Sequence, residues 1–188
     1  MRPVSIPAGL EDQNIEIYLH RGEIRAIYNG QVVAFNLLPQ DFIDNLSSAM
    51  MSDAQAVKTL VSKMQITEPL AMLEQFVKCN FGNFDGEPDV TPDGMMIREC
   101  WDCGVRGTCP GEGKVCKRLQ GKNGMLTAAE TNIFFLVIEG MLDKEIASAI
   151  GCSVPTVETH LKHIREKLDV NNRIEIMGWA MQRKLLFI

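Results

Sequence analysis

Four cysteines fall within residues 100–116, which read CWDCGVRGTCPGEGKVC. Cys100, Cys103, Cys109 and Cys116 follow the spacing C-x2-C-x5-C-x6-C. Thiolates this close together are suited to holding a metal, and in a reducing compartment that use outweighs disulfide formation. Glycines 104, 107, 111 and 113 allow the backbone to curl and turn N–H groups toward sulfur. Four thiolates around zinc carry a formal charge of about −2. Arg106, Lys114, Lys117 and Arg118 are placed to offset it. Structural zinc is the leading expectation, with an iron–sulfur cluster as the alternative and unliganded or redox-active thiols as the third reading. Such a site would fix a loop too short to have its own core. The remaining two cysteines, Cys79 and Cys152, read as small packed apolar residues.

A second set of polar residues sits on a helical pattern near the C-terminus. From Val154 to Leu168, Val157, Leu161, Ile164 and Leu168 make one apolar stripe, and Glu158, Thr159, Lys162, Arg165 and Glu166 occupy the other face. Ser153 precedes this helix as its cap, and Pro155 lies in its first turn, where a missing N–H costs nothing. Upstream, Thr127 and Glu130 form a T-x-x-E capping box for a helix carrying Phe134, Val137, Ile138 and Met141, with Gly140 as its stop. Asp143 is expected to cap a very short helix with Ile146, Ala147 and Ile150, ended by Gly151. Asn172 and Glu175 repeat the capping logic for a last helix. A short helix, a glycine turn and an amphipathic helix with polar residues at its start are the parts of a DNA reader, although a generic helical bundle would share the periodicity.

The residues from Leu126 to Phe187 resemble the LuxR-type helix-turn-helix, the DNA-binding end of many bacterial response regulators and quorum-sensing regulators. The resemblance rests on Leu126, Thr127, Glu130, Gly140 and the run Lys144 to Ala147. It continues through Ser153, Thr156, Val157, His160, Ile164, Lys167, Leu168, Val170, Asn172 and Arg173. It covers about a third of the chain, in order and in spacing. It implies that Glu158, Thr159 and Lys162 face base pairs. It also implies that Lys144, Thr156, His160, Arg165 and Arg173 are candidate phosphate contacts, with Ser153 among the DNA-binding residues. The last helix would carry a homodimer contact. Glu158 departs from the commoner neutral or basic residue. A carboxylate there can accept from the cytosine amino group, or it is an exposed charge paired with Lys162. Within the cysteine segment, Cys-x-x-Cys-Gly is similar to half of a zinc knuckle, and C-x2-C-x5-C is similar to spacing in iron–sulfur oxygen sensors.

The elements ahead of these residues read as a separate α+β domain over residues 1–80. Residues 14–37 suggest a three-stranded meander, with Gly22 in the first turn and Asn29-Gly30 as a type I′ hairpin signal. Three helices follow. Pro39 opens the first, with Phe42, Ile43, Leu46 and Met50 inward. The second runs from Ala54 to Met64 on Val57, Leu60, Val61 and Met64, and the third from Glu68 to Cys79 on Leu70, Leu73, Phe76 and Val77. Residues 81–99, rich in Gly, Asn, Asp and Pro, read as a linker. Residues 100–121 form the four-Cys knuckle, and 122–188 an all-α four-helix module.

Charge is unevenly distributed. Residues 1–99 carry 7 basic and 14 acidic side chains, residues 100–121 carry 4 and 2, and residues 122–188 carry 8 of each. An acidic first half disfavours wrapping on nucleic acid, and a neutral module implies weak DNA affinity per copy. Dimerisation, or a partner such as RNA polymerase, would add the rest. No apolar run reaches membrane-spanning length, and MRPVSIPAGLEDQ lacks a signal peptide's apolar core, so a cytoplasmic location is expected. No base–nucleophile pair or phosphate loop is visible, and no receiver-like α/β repeat, so neither enzymatic activity nor phosphorylation control is expected. The expectation is a bacterial or phage transcription regulator. The alternatives are a protein-interaction module or an iron–sulfur redox-gated regulator.

Overall fold

A computed structural model of the chain describes residues 6–185; the ends of the N-terminal segment and of the C-terminal stretch, Leu186 and Phe187 included, lie outside the described residues. The fold divides into two units. The first is Met1–Cys103 with Gly113–Lys117, and the second is Gly104–Glu112 with Arg118–Ile188.

In the first unit, strands β1 (Glu16–His20), β2 (Glu23–Tyr28) and β3 (Gln31–Ala34) form an antiparallel meander in sequence order. Arg21-Gly22 and Asn29-Gly30 take positive φ at both turn positions, which matches the twist of a two-residue hairpin. Tyr28 pairs with Gln31 next to the second turn. Ile17 and Ala26 are fully buried on the inner face. Helices α1 (Gln40–Ser52), α2 (Ala54–Ser62) and α3 (Pro69–Asn80) cover that face with Leu46, Met50, Ala56, Leu60, Leu73, Phe76 and Val77. Asp53 caps α2 by accepting from the Ala56 N–H at 3.0 Å. The Glu68 carboxylate caps α3, accepting from Leu70 and Ala71.

Several expectations need correction here. Pro39 is the residue before α1 and not in its first turn. Helix α2 ends at Ser62, two residues short of Met64, and Val61 faces solvent while Ala56 is buried. In α3, Leu70 is exposed and Met72 is inside. The largest correction concerns residues 81–99, which are built into the first unit and do not link it to another. Phe81 and Val90 are buried in its core. The Ile15 N–H donates to the Val90 carbonyl at 2.8 Å, and the Asp89 carboxylate accepts from the Ile17 N–H at 2.6 Å. Burial raises the pKa of Asp89, and the nearby charge of Glu99 raises it further, against the Ile17 hydrogen bond that lowers it.

In the second unit, a two-stranded hairpin, β4 (Gln120–Gly121) and β5 (Gly124–Met125), precedes four helices. These are α4 (Ala128–Ile138), α5 (Asp143–Ile150), α6 (Val154–Leu168) and α7 (Arg173–Gln182). Sequence periodicity gave no sign of the hairpin. Its Asn123 turn donates from N–H to the Lys167 carbonyl at 2.8 Å and from Nδ2 to the Glu166 carbonyl at 2.9 Å. Two carbonyls left open at the end of α6 are thereby satisfied. Gly121 makes this approach possible, since a Cβ there would lie 2.3 Å from the Lys167 oxygen. The loop 104–112 also belongs to this unit. It holds a buried ion pair, Arg106 to Glu112 at 3.8 Å, and the Glu112 carboxylate accepts from the Gly107 N–H. No helix among the described residues is long and apolar enough to cross a membrane.

Candidate nucleic-acid interface

The second unit is organised around α6. Its stripe of Val157, Leu161, Ile164 and Leu168 is at most 5% exposed and packs with α4 and α5. Burying each such side chain stabilises by about 1.5–3 kcal/mol. Helix α4 contributes Ile133, Phe134 and Val137, all fully buried, and Phe134 meets the α7 residue Trp179 edge-on at 5.7 Å. Because the stripe is held this firmly, the opposite edge of α6 is fixed in direction.

Local signals set the ends of the helices. Thr127 and Glu130 make the expected capping box on α4, with Thr127 N–H to Glu130 Oε2 at 2.7 Å. Asp143 is not the cap of α5. Leu142 holds that position, and its N–H donates to the Glu145 carboxylate at 2.6 Å. Gly151 ends α5 with φ +69°, the left-handed conformation that a Cβ disfavours. Ser153 then caps α6, accepting from the Thr156 N–H at 3.3 Å. Its hydroxyl also meets the Thr156 hydroxyl at 2.8 Å. A two-turn helix, a glycine turn and a capped amphipathic helix thus stand in helix-turn-helix arrangement.

The predicted base-facing residues are presented to solvent. Glu158, Thr159 and Lys162 are all exposed on α6. The Thr159 hydroxyl donates back to the Pro155 carbonyl at 2.9 Å, which keeps it beside the helix. Lys162 lies 3.9 Å from Glu166, four residues on, so the alternative pairing of Glu158 with Lys162 is not formed. Among the described residues no ion pair engages Glu158. Lys144, Ser153 and Thr156 are exposed around the starts of α5 and α6, and Arg165 is half-buried.

Two predicted backbone contacts are placed differently. Arg173 points into the module, where Nη1 lies 2.5 Å from Asp143 Oδ1 and Nη2 donates to the Met141 carbonyl. His160 is half-buried, and its Nδ1 is enclosed without a hydrogen-bond partner. It neighbours Glu130 and His163, one ligand atom from each lying within 4.8 Å of the others. Glu130 is itself inside: burial pushes its pKa up, but the Lys167 ammonium at 2.6 Å and the Thr127 N–H and hydroxyl hold it below the usual carboxylate range. His163 was overlooked in the sequence, although it stands three residues after His160 on one helix, where side chains share a face.

The six cysteines are all outside disulfides, as metal ligation requires. Cys109 Sγ accepts from the Gly111 N–H at 3.3 Å, the kind of contact that stabilises a thiolate. In the first unit an open cavity of about 660 Å³ is lined by groups of both signs, among them Glu23, Arg25, Glu74 and Lys78.

A helix-turn-helix of this build defines the second unit as a DNA-binding type of domain. Residues 124–180 match the family described as bacterial regulatory proteins, luxR family, and form a LuxR-type helix-turn-helix domain. Proteins named response regulator protein VraR are 39% identical over 62 residues; they come from Staphylococcus aureus (strain Mu3), Staphylococcus saprophyticus and Staphylococcus epidermidis. The shared segment is 33% of this chain and 30% of the relative, so the chain spans about a third of the length of the curated relatives it matches.

Proposed function

We propose that the chain is a bacterial or phage transcription regulator that enters the major groove of duplex DNA with α6. The observation that carries this reading is the division of that helix. Val157, Leu161, Ile164 and Leu168 are held inside, while Glu158, Thr159 and Lys162 stand exposed on the other edge. Lys144, Ser153, Thr156 and Arg165 are the residues assigned to the phosphates. Arg173 is left out of that set because Asp143 and the Met141 carbonyl already engage its guanidinium, and His160 because its Nδ1 is enclosed. Glu158 accepts from a cytosine amino group. The protein acts as a cytoplasmic homodimer through α7, where Ile174 is 80% and Met181 54% exposed. It has no enzymatic activity of its own.

Cys100, Cys103, Cys109 and Cys116 are assigned to one structural zinc, which orients the DNA-binding unit. An iron–sulfur cluster is the alternative occupant, and would make the site a redox gate. The absence of disulfides and the N–H donated to Cys109 fit thiolate ligands.

A second reading makes the same helix edge a docking face for RNA polymerase or another regulator. The exposed Glu158 and the balanced charge of residues 122–188 favour it. Selection of bound duplexes from a random DNA pool separates the two. Enrichment of a two-fold repeated site supports the regulator, and no enrichment favours the protein partner.

A further inference from the structure

We propose that Glu130, His160 and His163 form a divalent transition-metal site, suited to zinc, that ties α6 to α4. His160 and His163 are three residues apart, on the same face of α6. Glu130 lies in the first turn of α4, with its side chain 4% exposed. One ligand atom from each of the three lies within 4.8 Å of the others, and His163 Nδ1 is 3.8 Å from Glu130 Oε1. Tetrahedral zinc with bonds of about 2.0–2.1 Å holds its ligands about 3.4 Å apart. Closure therefore needs small rotations, and the half-exposed His163 ring is free to make them.

The two oxygens of Glu130 have different tasks. Oε2 takes the Lys167 ammonium at 2.6 Å and the Thr127 N–H at 2.7 Å. These contacts fix the carboxylate's orientation, as outer-shell hydrogen bonds do around metals. Oε1 remains turned toward His163. The enclosed Nδ1 of His160, which lacks a hydrogen-bond partner, is a costly arrangement in a folded protein. A cation within reach of the ring explains why imidazole is kept there. Two imidazoles and one carboxylate leave a fourth position for water. Lys167 places a positive charge beside the carboxylate, so the site binds zinc more weakly than four thiolates do. It is separate from the cysteine segment in its residues and its ligand chemistry.

The test uses the full chain with zinc alone, bound metal being counted after dialysis and by competition with a chromophoric chelator. His163→Ala is expected to lose one equivalent of zinc, and His160→Gln to lose the same one. Cys103→Ser keeps that equivalent, whatever the cysteines hold. Zinc is expected to raise the thermal midpoint of the second unit in the native chain and not in His163→Ala, with both chains unfolding cooperatively. Cobalt at the equivalent lost in the histidine variants is expected to give no thiolate charge-transfer band. Unchanged zinc content and affinity in both histidine variants would overturn the proposal, as would a thiolate band from the equivalent that they lose.

Discussion

Arg173 at the start of α7 reaches Asp143 at the start of α5 at 2.5 Å and also donates to the Met141 carbonyl. The beginnings of two helices and the connection between α4 and α5 are joined by one guanidinium. Both partners are about a third exposed, so the clamp is worth less than a buried charged pair. Arg173→Ala is expected to lower the stability of the second unit by about 1–2 kcal/mol. Hydrogen exchange at the amides of α5 and α7 measures this. The salt dependence of DNA binding should stay unchanged, because a residue clamped inward releases no counterions.

Gly121→Ala places a Cβ against the Lys167 carbonyl, an approach of 2.3 Å before relaxation. The contact is with backbone, so the hairpin has to move away. Overpacking of this kind costs about 1–3 kcal/mol. Faster exchange of the Asn123 amide, which donates to that carbonyl, is the expected signature.

Asp89 links acidity to the stability of the first unit. Its buried carboxyl keeps a proton above the usual carboxylate range. The unfolded chain releases that proton within the usual range, so the folded state binds more protons between the two values. Stability therefore falls as pH rises through that window, by at most about 1.4 kcal/mol per pH unit for one group. The thermal midpoint is expected to drop from pH 5 to pH 8. Asp89→Asn keeps an acceptor for the Ile17 N–H and should remove this group's share of the slope, while Glu99, pushed up to about 8 by burial, keeps its own.

Cys103→Ser is expected to remove zinc held by the cysteine segment and to loosen residues 95–120 before the helices of the second unit. Elemental analysis and exchange protection check both effects. A coloured protein carrying iron would assign the cluster instead, since d¹⁰ zinc is colourless.

The helix-turn-helix was legible because local chemistry and burial agree there. Caps at Thr127, Ser153 and Asn172 are observed, and the stripes of α4 and α6 are in the core, except that Met141 lies past the end of α4 and is half-buried. The meander was legible for the same reason, from alternation and Asn29-Gly30. Residues 81–99 were not. Their Gly, Asp and Pro content signals turns, and it hides the fact that Phe81 is buried in the core, that the Gly82 carbonyl accepts from the Leu19 N–H of β1, and that Asp89 and Val90 bond to Ile15 and Ile17, far away in sequence. The ion pair of Arg173 with Asp143 and the enclosed Nδ1 of His160 were not legible, because residue type alone does not say which way a cation or imidazole points. Hairpin β4–β5 has two residues per strand, too few for any periodicity.

The exposed edge of α6 is assigned to the reading of base pairs. The most direct measurement compares native chain and Lys162→Ala on a selected duplex and on a scrambled one, at matched salt. Lys162→Ala is expected to weaken binding to the selected duplex by about 1–3 kcal/mol and to change binding to the scrambled one far less. Equal affinity of the two proteins for the selected duplex, with folding intact, would contradict it.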